Sequence, residues 1–464
     1  MPKNMASPSY YYGVVIDAGS SGSRIHTYRW SDTEGGPLVE REAVFYDERD
    51  VGLGAEGGLE ALSDLIAAAA AALPSDATPG GVPVYLGATA GVRLSSAAAD
   101  IVEDARALLR ASGLRFQDEW ARTITGDEES VYGWLVANYL REGRLPHGDG
   151  RSASTYGAMD LGGGSTQISC LVPSAATGDD GAFPLRIGRE EYRLYTRSYL
   201  HFGADQARDR HDAHIIGEQM NPCYPTGYIH PDNTIAGSSN WDECFDSVAK
   251  LFDQRSNLRG GANQAVLDVI TPPPNFDAQQ QRYIAMSVFV FVWDFLGLET
   301  GPRTQDLNAL REKAGQICRM TREQQAAQYD KTMEGRPPAR KTNKAFAQCF
   351  NAAYAHHLLV RGYGLPAADT PVEVYYEING GKVNWALGLM LVEAGNLERR
   401  HGAGSLGGRR QQRGGSSYFD NSAVRFSTVL FTSLILLLGV LFGRFRRAET
   451  VKSLFCHRMS KNKQ

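Results

Sequence analysis

Residues Tyr156–Leu171 read YGAMDLGGGSTQISCL: a short apolar strand, a turn of three glycines and a second strand. The pattern stands once more near the start of the chain. Tyr10–Ile16 (YYYGVVI) runs into Asp17-Ala-Gly-Ser-Ser-Gly-Ser23, and a second strand follows over Ile25–Trp30. Each copy ends an apolar strand on an Asp, with a Gly two residues later: Asp17 and Gly19, Asp160 and Gly162. One Asp-x-Gly turn is ordinary hairpin chemistry. Two copies a domain length apart imply a degenerate internal duplication, and so two related α/β lobes facing one cleft.

Working outward, Leu59–Leu73 reads as an alanine-rich helix closed by Pro74, and Val82–Gly87 as a strand running into Ala88-Thr-Ala-Gly-Val-Arg93. Ala97–Ala111 is a second helix, and Ile124–Glu129 is a turn that opens a third. Met286–Leu298 (MSVFVFVWDFLGL) is apolar but short and interrupted by Asp294, which makes it one core helix rather than a membrane span. The polar, glycine-rich stretch Glu142–Ser154 suits an interdomain connection. The expected division is an N-terminal lobe over 10–150, a C-terminal lobe over 151–398, a linker over 399–425, a transmembrane helix over 426–443 and a cytoplasmic tail over 444–464.

With 42% hydrophobic residues in 464, the chain can bury a sizeable core and is neither disordered nor collagen-like. Lys plus Arg is 48 against 52 Asp plus Glu, a balance that gives no reason to expect nucleic-acid binding. Phe426–Phe442 (FSTVLFTSLILLLGVLF) carries no charge and is followed by Arg444, Arg446 and Arg447, the pattern of a membrane span with a stop-transfer flank. Met1–Tyr10 has no apolar core of a signal peptide, which by itself suggests a tail-anchored protein with a cytosolic domain. Cysteine placement pulls the other way. Cys223 with Cys244 and Cys318 with Cys349 fit two structural disulfides and a lumenal compartment, against the alternative of four unrelated buried thiols.

Glycine-rich turns let successive backbone N–H groups converge on phosphate oxygens, where a Cβ would block the approach. Hydroxyls of Ser20, Ser21, Ser165 and Thr166 add donors. Asp17 and Asp160, one from each lobe, could hold a hydrated Mg²⁺ or Ca²⁺ through its waters. His201, His211 and His214, and the pair His356–His357, read as surface or capping side chains rather than metal ligands.

Five segments in order resemble the five conserved regions of the apyrases, the GDA1/CD39 nucleoside triphosphate diphosphohydrolase family. They are VIDAGSSGSR (Val15–Arg24), GATAGVR (Gly87–Arg93), ITGDEESVYGWLVANY (Ile124–Tyr139), AMDLGGGSTQIS (Ala158–Ser169) and YTRSYLHFGADQAR (Tyr195–Arg208). VYYEINGGKVNWALG (Val374–Gly388) is similar to the family's closing strand and helix. The resemblance implies two RNase H-like lobes of the actin, hexokinase and Hsp70 superfamily. It implies Glu129 as the base, with Glu128 ranked second, and Ser165 and Gln167 as holders of the attacking water. It further implies that Asp17, Asp160 and Thr89 surround the cation through water. The phosphate-binding set is Ser20, Ser21, Gly22, Ser23, Arg24, Thr89, Ala90, Gly91, Gly162, Gly163, Gly164, Ser165 and Thr166.

Some positions depart from the family pattern. Ser130 stands where Gly usually follows the catalytic Glu, Gly164 replaces a common Ala, and Arg197 and Ala204 differ from cell-surface members. The spacings Asn221-Pro-Cys223, Trp241-Asp-Glu-Cys244 and Asn384-Trp-Ala-Leu-Gly388 look closest to the Golgi apyrases, some of which have a C-terminal span and no signal peptide. The expectation is a single-pass Golgi membrane enzyme with a lumenal catalytic domain, hydrolysing nucleoside tri- and diphosphates, UDP and GDP among them, in support of glycosylation. The alternatives are a membrane-tethered nucleotide-binding protein of the Hsp70-like fold without turnover and, less favoured, an exopolyphosphatase.

Overall fold

Strand β1 (Tyr10–Ala18) is buried without a break from Tyr12 onward. A strand covered on both faces reads as a continuous apolar run rather than an alternation, which is why YYYGVVI marks the middle of a sheet. With β2 (Ser23–Thr33), β3 (Gly36–Val39), β4 (Phe45–Arg49), β5 (Val84–Ala88) and β6 (Ala121–Thr123) it forms a six-stranded mixed sheet in the order β3-β2-β1-β5-β6, with β4 also on β2. Helices α1 (Gly58–Ala71) and α3 (Ala98–Ala111) cover it through Leu62, Leu65, Ala105 and Leu109, while the short α2 (Ala90–Arg93) follows β5 directly.

The structure, a computed structural model, describes residues 10–404 apart from 34–35, 147–154, 173–181, 188–189, 216–219, 231–234, 254–268, 274–280 and 333–340. The expected transmembrane helix, the tail and most of the linker lie outside the described residues. Among those described, no helix is long and apolar enough to cross a membrane.

After α4 (Gly126–Glu142) come β7 (Gly157–Leu161), β8 (Ser165–Leu171), β9 (Phe183–Ile187) and β10 (Glu190–Leu200), then α5 (Ala204–Ile215). The two-residue strands β11 (Met220–Asn221) and β12 (Ala236–Gly237) pair with each other ahead of α6 (Trp241–Ala249). β13 (Tyr283–Ser287) leads into α7 (Val288–Leu296), α8 (Leu307–Cys318), α9 (Arg322–Thr332) and α10 (Lys341–His357), and β14 (Val372–Val374) follows. The second sheet runs β14-β13-β7-β8-β10-β9. Four of its strands repeat the first sheet, while at the outer edge β9 pairs with β10 where β3 and β4 both pair with β2. The antiparallel pair β7–β8 matches β1–β2, and the parallel neighbours β13 and β14 match β5 and β6.

The hairpin β15 (Glu377–Ile378) and β16 (Gly381–Lys382) precedes the last helix, α11 (Trp385–Gly404). That helix does not stay with the second sheet. It packs on β1, β2, β3 and α4, while α4 packs on β7, β8 and β10. A Cβ at Gly388 would come within 2.2 Å of the Tyr132 carbonyl oxygen, so glycine there is what lets α11 lie against α4. The two helices are thus exchanged across a division of the chain at residue 150.

Cys223 is bonded to Cys244 (S–S 2.07 Å) and Cys318 to Cys349 (2.14 Å), while Cys170 is a buried free thiol. Three sequence expectations need correction. Met286 and Ser287 belong to strand β13, whose backbone pairs with β7, and the helix starts only at Val288. Helix α11 carries through residues 399–404 of the expected linker, past the internal Gly388 and Gly395, because its packing rather than local propensity sets its length. His211, His356 and His357 are buried, not at the surface. The Nε2 of His211 lies 2.8 Å from Ser247 Oγ and that of His357 2.9 Å from the Phe245 carbonyl oxygen.

Candidate active site

The start of α4 sorts two adjacent glutamates. Thr125 caps the helix: its Oγ1 accepts from the Glu128 amide (3.1 Å), and Glu128 Oε2 accepts from the Thr125 amide (2.7 Å), a capping box. Arg122 donates twice more to Glu128, at 2.6 and 2.8 Å. That carboxylate is fully committed. Glu129, about 100° further round the helix, faces the cleft. Its Oε2 accepts from Arg93 Nη2 (2.8 Å) and Gln167 Nε2 (3.3 Å). Arg93 Nη2 also donates to Ser165 Oγ (3.1 Å), and its Nη1 is anchored on the Ile124 carbonyl oxygen (2.9 Å). Gln167 Nε2 donates to Ser165 Oγ (2.7 Å) and Ser198 Oγ (3.1 Å). Glu129, Ser165 and Gln167 therefore form one hydrogen-bonded cluster, and Gln167 Oε1 is buried beside it without a partner among the described residues.

Asp17 and Asp160 end the equivalent strands β1 and β7 and line the same cleft, of about 320 Å³, as Glu129 and Thr89. Burial pushes the Asp17 carboxyl up to about 6, Arg24 (3.4 Å) opposing and Glu129 adding to the shift. Burial and Glu129 push Asp160 up to about 7, with Asp17 adding to the rise. The side chains of Trp385 near Asp17 and of Ser287 near Asp160 oppose the rise. Asp160 Oδ1 is covered and has no hydrogen-bond partner among the described residues. Three carboxylates so placed repel one another, and a divalent cation among them would offset that repulsion. Among the described residues no three His, Cys, Asp or Glu side chains converge to grip a metal directly. Two carboxylates from different lobes suit an ion that keeps its water, as Mg²⁺ does.

Ser20, Ser21, Arg24, Thr89, Ala90, Gly162, Gly163, Gly164 and Ser165 line the cleft. The two Asp-x-Gly turns touch, since a Cβ on Gly163 would stand 3.0 Å from Ser20 Oγ, and the second turn also meets α2, where one on Gly164 would stand 2.8 Å from the Ala90 Cβ. Four further expected phosphate-binding residues, Gly22, Ser23, Gly91 and Thr166, are not among the residues that line the cleft. Ser23 is fully buried and donates to the Val51 carbonyl oxygen (3.3 Å). Thr166 donates to the Asp160 carbonyl oxygen (2.8 Å) and pairs with the Tyr363 hydroxyl (3.0 Å). Gly22 accepts from the Gly19 amide to close its turn, and Gly91 packs against Ser20. In a strand successive side chains face opposite ways, so the residue next to a cleft-facing Ser165 must turn inward. Arg24 reaches the cleft, but its guanidinium faces Asp17 and Glu48.

Arg93, Ser198, Trp385 and Ser287 had no assigned role in the sequence. The first three sit inside motifs already noted. Ser287 was masked by reading Met286–Leu298 as one helix, although the duplication places the end of β13 where β5 meets Thr89.

Two mixed sheets sharing a four-strand topology, a cleft beside their Asp-x-Gly turns and a carboxylate–hydroxyl–amide cluster near two aspartates make a duplicated α/β fold with a site suited to phosphate groups. The chain belongs to the GDA1/CD39 (nucleoside phosphatase) family, whose pattern matches residues 4–401, and it is a nucleoside phosphatase. It is 30% identical over 426 residues to mouse ectonucleoside triphosphate diphosphohydrolase 2, covering 83% of this chain and 82% of that protein. It is 28% identical over 432 residues to Arabidopsis thaliana probable apyrase 6, covering 85% and 74%. A solved structure described as nucleoside triphosphate hydrolases from Neospora caninum shares the fold, with TM-score 0.58, 15% identity and coverage of 84% of this chain and 93% of that one.

Proposed function

We propose that the chain hydrolyses nucleoside tri- and diphosphates, UDP and GDP among them, to the monophosphate and orthophosphate. The observation that carries this reading is the Glu129–Ser165–Gln167 cluster, with the unpartnered Gln167 Oε1 beside it and Asp17 and Asp160 in the same cleft. A water held between Ser165 and Gln167 attacks the terminal phosphorus, and Glu129 takes its proton. The phosphorus–oxygen bond to the leaving nucleotide breaks as the new one forms. Backbone N–H groups of the glycine-rich turns carry the charge that spreads over the phosphoryl oxygens. A bound Mg²⁺ or Ca²⁺ supplies charge neutralisation on the phosphate chain; Asp17, Asp160 and Thr89 would hold it through water.

The cysteine pairs, the basic tail after the uncharged run and the spacings similar to the Golgi apyrases support a place in the Golgi membrane with the catalytic domain lumenal. There the enzyme would remove nucleoside diphosphates released by glycosyl transfer. Phosphate release from UDP, GDP and ATP, compared in the wild type and Glu129→Gln, tests the reaction. Turnover should fall roughly 10²–10⁴-fold in the variant while nucleotide still binds. Near-normal turnover in Glu129→Gln would remove Glu129 as the base.

A further inference from the structure

The cleft does not end at the carboxylates. On the side of α7, α9 and α10 it is lined by Phe291, Tyr329 and Asn351, aromatic and amide groups suited to a nucleoside. On the side of β2, β4 and the β15–β16 hairpin the same cleft is lined by Arg24, His26, Tyr46, Tyr376 and Lys382, whose side chains make up a polar chamber of it. Lys382 stands over the Tyr46 ring, 3.7 Å from its centroid, and 5.8 Å from that of Tyr376. Among the described residues no carboxylate is within ion-pair distance of it, not even its cross-strand neighbour Glu377. Glu48, which also lines the chamber, is occupied by Arg24 (3.4 Å) and the Tyr46 hydroxyl (2.8 Å), and Arg24 meets Asp17 as well.

His26, 2% exposed, stacks on Tyr28 and meets the Tyr46 ring at a tilt, and its Nε2 has no partner among the described residues. Burial first, then Arg24 and Lys382, bring its pKa down to about 3, so the ring is neutral and able to hydrogen-bond. Tyr376, 42% exposed, marks where the chamber meets solvent. A half-buried ammonium without a counter-ion, an arginine and an unpartnered imidazole together suit a small, multiply charged oxyanion.

We propose that this chamber is an orthophosphate site: Lys382, with Arg24 and His26, receives the phosphate produced by hydrolysis and passes it out beside Tyr376 while the shortened nucleotide stays in the cleft. This deepens the hydrolytic reading above and rests on it. With the nucleoside filling the α7–α10 side, the phosphate cut from the chain's far end would otherwise have to wait for the nucleotide to leave. Lys382 is a binding residue for the product and touches no reacting atom.

The test keeps the nucleotide site occupied. The full chain is saturated with a non-hydrolysable imido nucleoside triphosphate and Mg²⁺, and inorganic phosphate is titrated calorimetrically. The wild type should bind one further phosphate. Lys382→Met should weaken it by roughly tenfold or more, and Lys382→Arg, which keeps the charge, should bind within about threefold of wild type. During turnover Lys382→Met should also release more free nucleoside diphosphate per triphosphate consumed. The proposal is overturned if the saturated wild type takes up no phosphate or if Lys382→Met binds it equally well. It is also overturned if Lys382→Met loses the nucleotide analogue to the same extent, which would put Lys382 in the nucleotide site. Failure of the hydrolytic reading shows separately, as normal turnover in Glu129→Gln.

Discussion

Arg93 is where the geometry predicts a large effect that motif reading left unassigned. Its guanidinium joins α2, in the first sheet's half of the cleft, to Glu129 and Ser165, which sit on the second sheet and on the helix packed against it. Arg93→Met deletes three hydrogen bonds, and the ion pair among them is mostly shielded, with side chains 13% and 10% exposed. A hydrogen bond to a charged group contributes about 1.5–3 kcal/mol. The larger consequence is positional: Glu129 keeps only the longer contact from Gln167, and a displacement of about 1 Å at a reacting group can cost on the order of 10²-fold. Turnover in Arg93→Met should therefore fall about 10- to 100-fold, less than in Glu129→Gln. Lysine cannot span the three acceptors that the guanidinium fork reaches, so Arg93→Lys should recover only part of the loss. The decisive measurement is phosphate release at saturating nucleotide and Mg²⁺ across a double-mutant cycle. If Arg93 acts by holding Glu129, the double variant Arg93→Met/Glu129→Gln turns over about as slowly as Glu129→Gln alone. Losses that multiply in the double variant, or an Arg93→Met enzyme within about threefold of wild type, would refute the positioning argument.

Two further predictions concern the cation and the compartment. The fold raises Asp17 to about 6 and Asp160 to about 7, from an ordinary carboxylate value near 4. It thus favours their neutral forms, and the stability they contribute is present below about pH 4 and lost as pH rises through 6 to 7. A cation offsets the charge that appears, so the rise in melting temperature on adding Mg²⁺ should be larger at pH 8 than at pH 5.5. Asp17→Asn and Asp160→Asn should each shrink that difference and increase the Mg²⁺ needed for turnover. An equal rise at both pH values in the wild type would contradict the reading. For the compartment, the disulfides close loops of 21 and 31 residues, each stabilising by on the order of 3 kcal/mol in the chain-entropy account. A lumenal catalytic domain should resist protease in sealed Golgi vesicles until detergent is added, with only the short tail trimmed. Digestion of the whole domain without detergent would place it in the cytosol.

How far the site could be read from the sequence depended on whether the interaction that makes it is local. Glu129 rather than Glu128 follows from Thr125-Gly-Asp-Glu128, because a capping box commits its own glutamate within one helical turn. Asp17 and Asp160 follow from strand-ending turns that occur twice. What escaped was set by tertiary packing. Nothing in MSVFVFVWDFL marks Ser287 as the end of a strand, since a short apolar run suits a buried strand or a buried helix equally and β13 owes its conformation to pairing with β7. Nor does local pattern reveal that α4 and α11 cross between the sheets, because each is buried on more than one side and carries no single apolar stripe to name its partner. Read as isolated turns, the glycines serve backbone freedom at a phosphate. In the folded chain Gly163 also lies against Ser20 of the other turn, where a Cβ would be crowded, and Gly164 against Ala90 of α2. The same absence of a side chain that opens amides to phosphate lets the two turns meet, and that second role exists only because the duplicated halves fold onto one another.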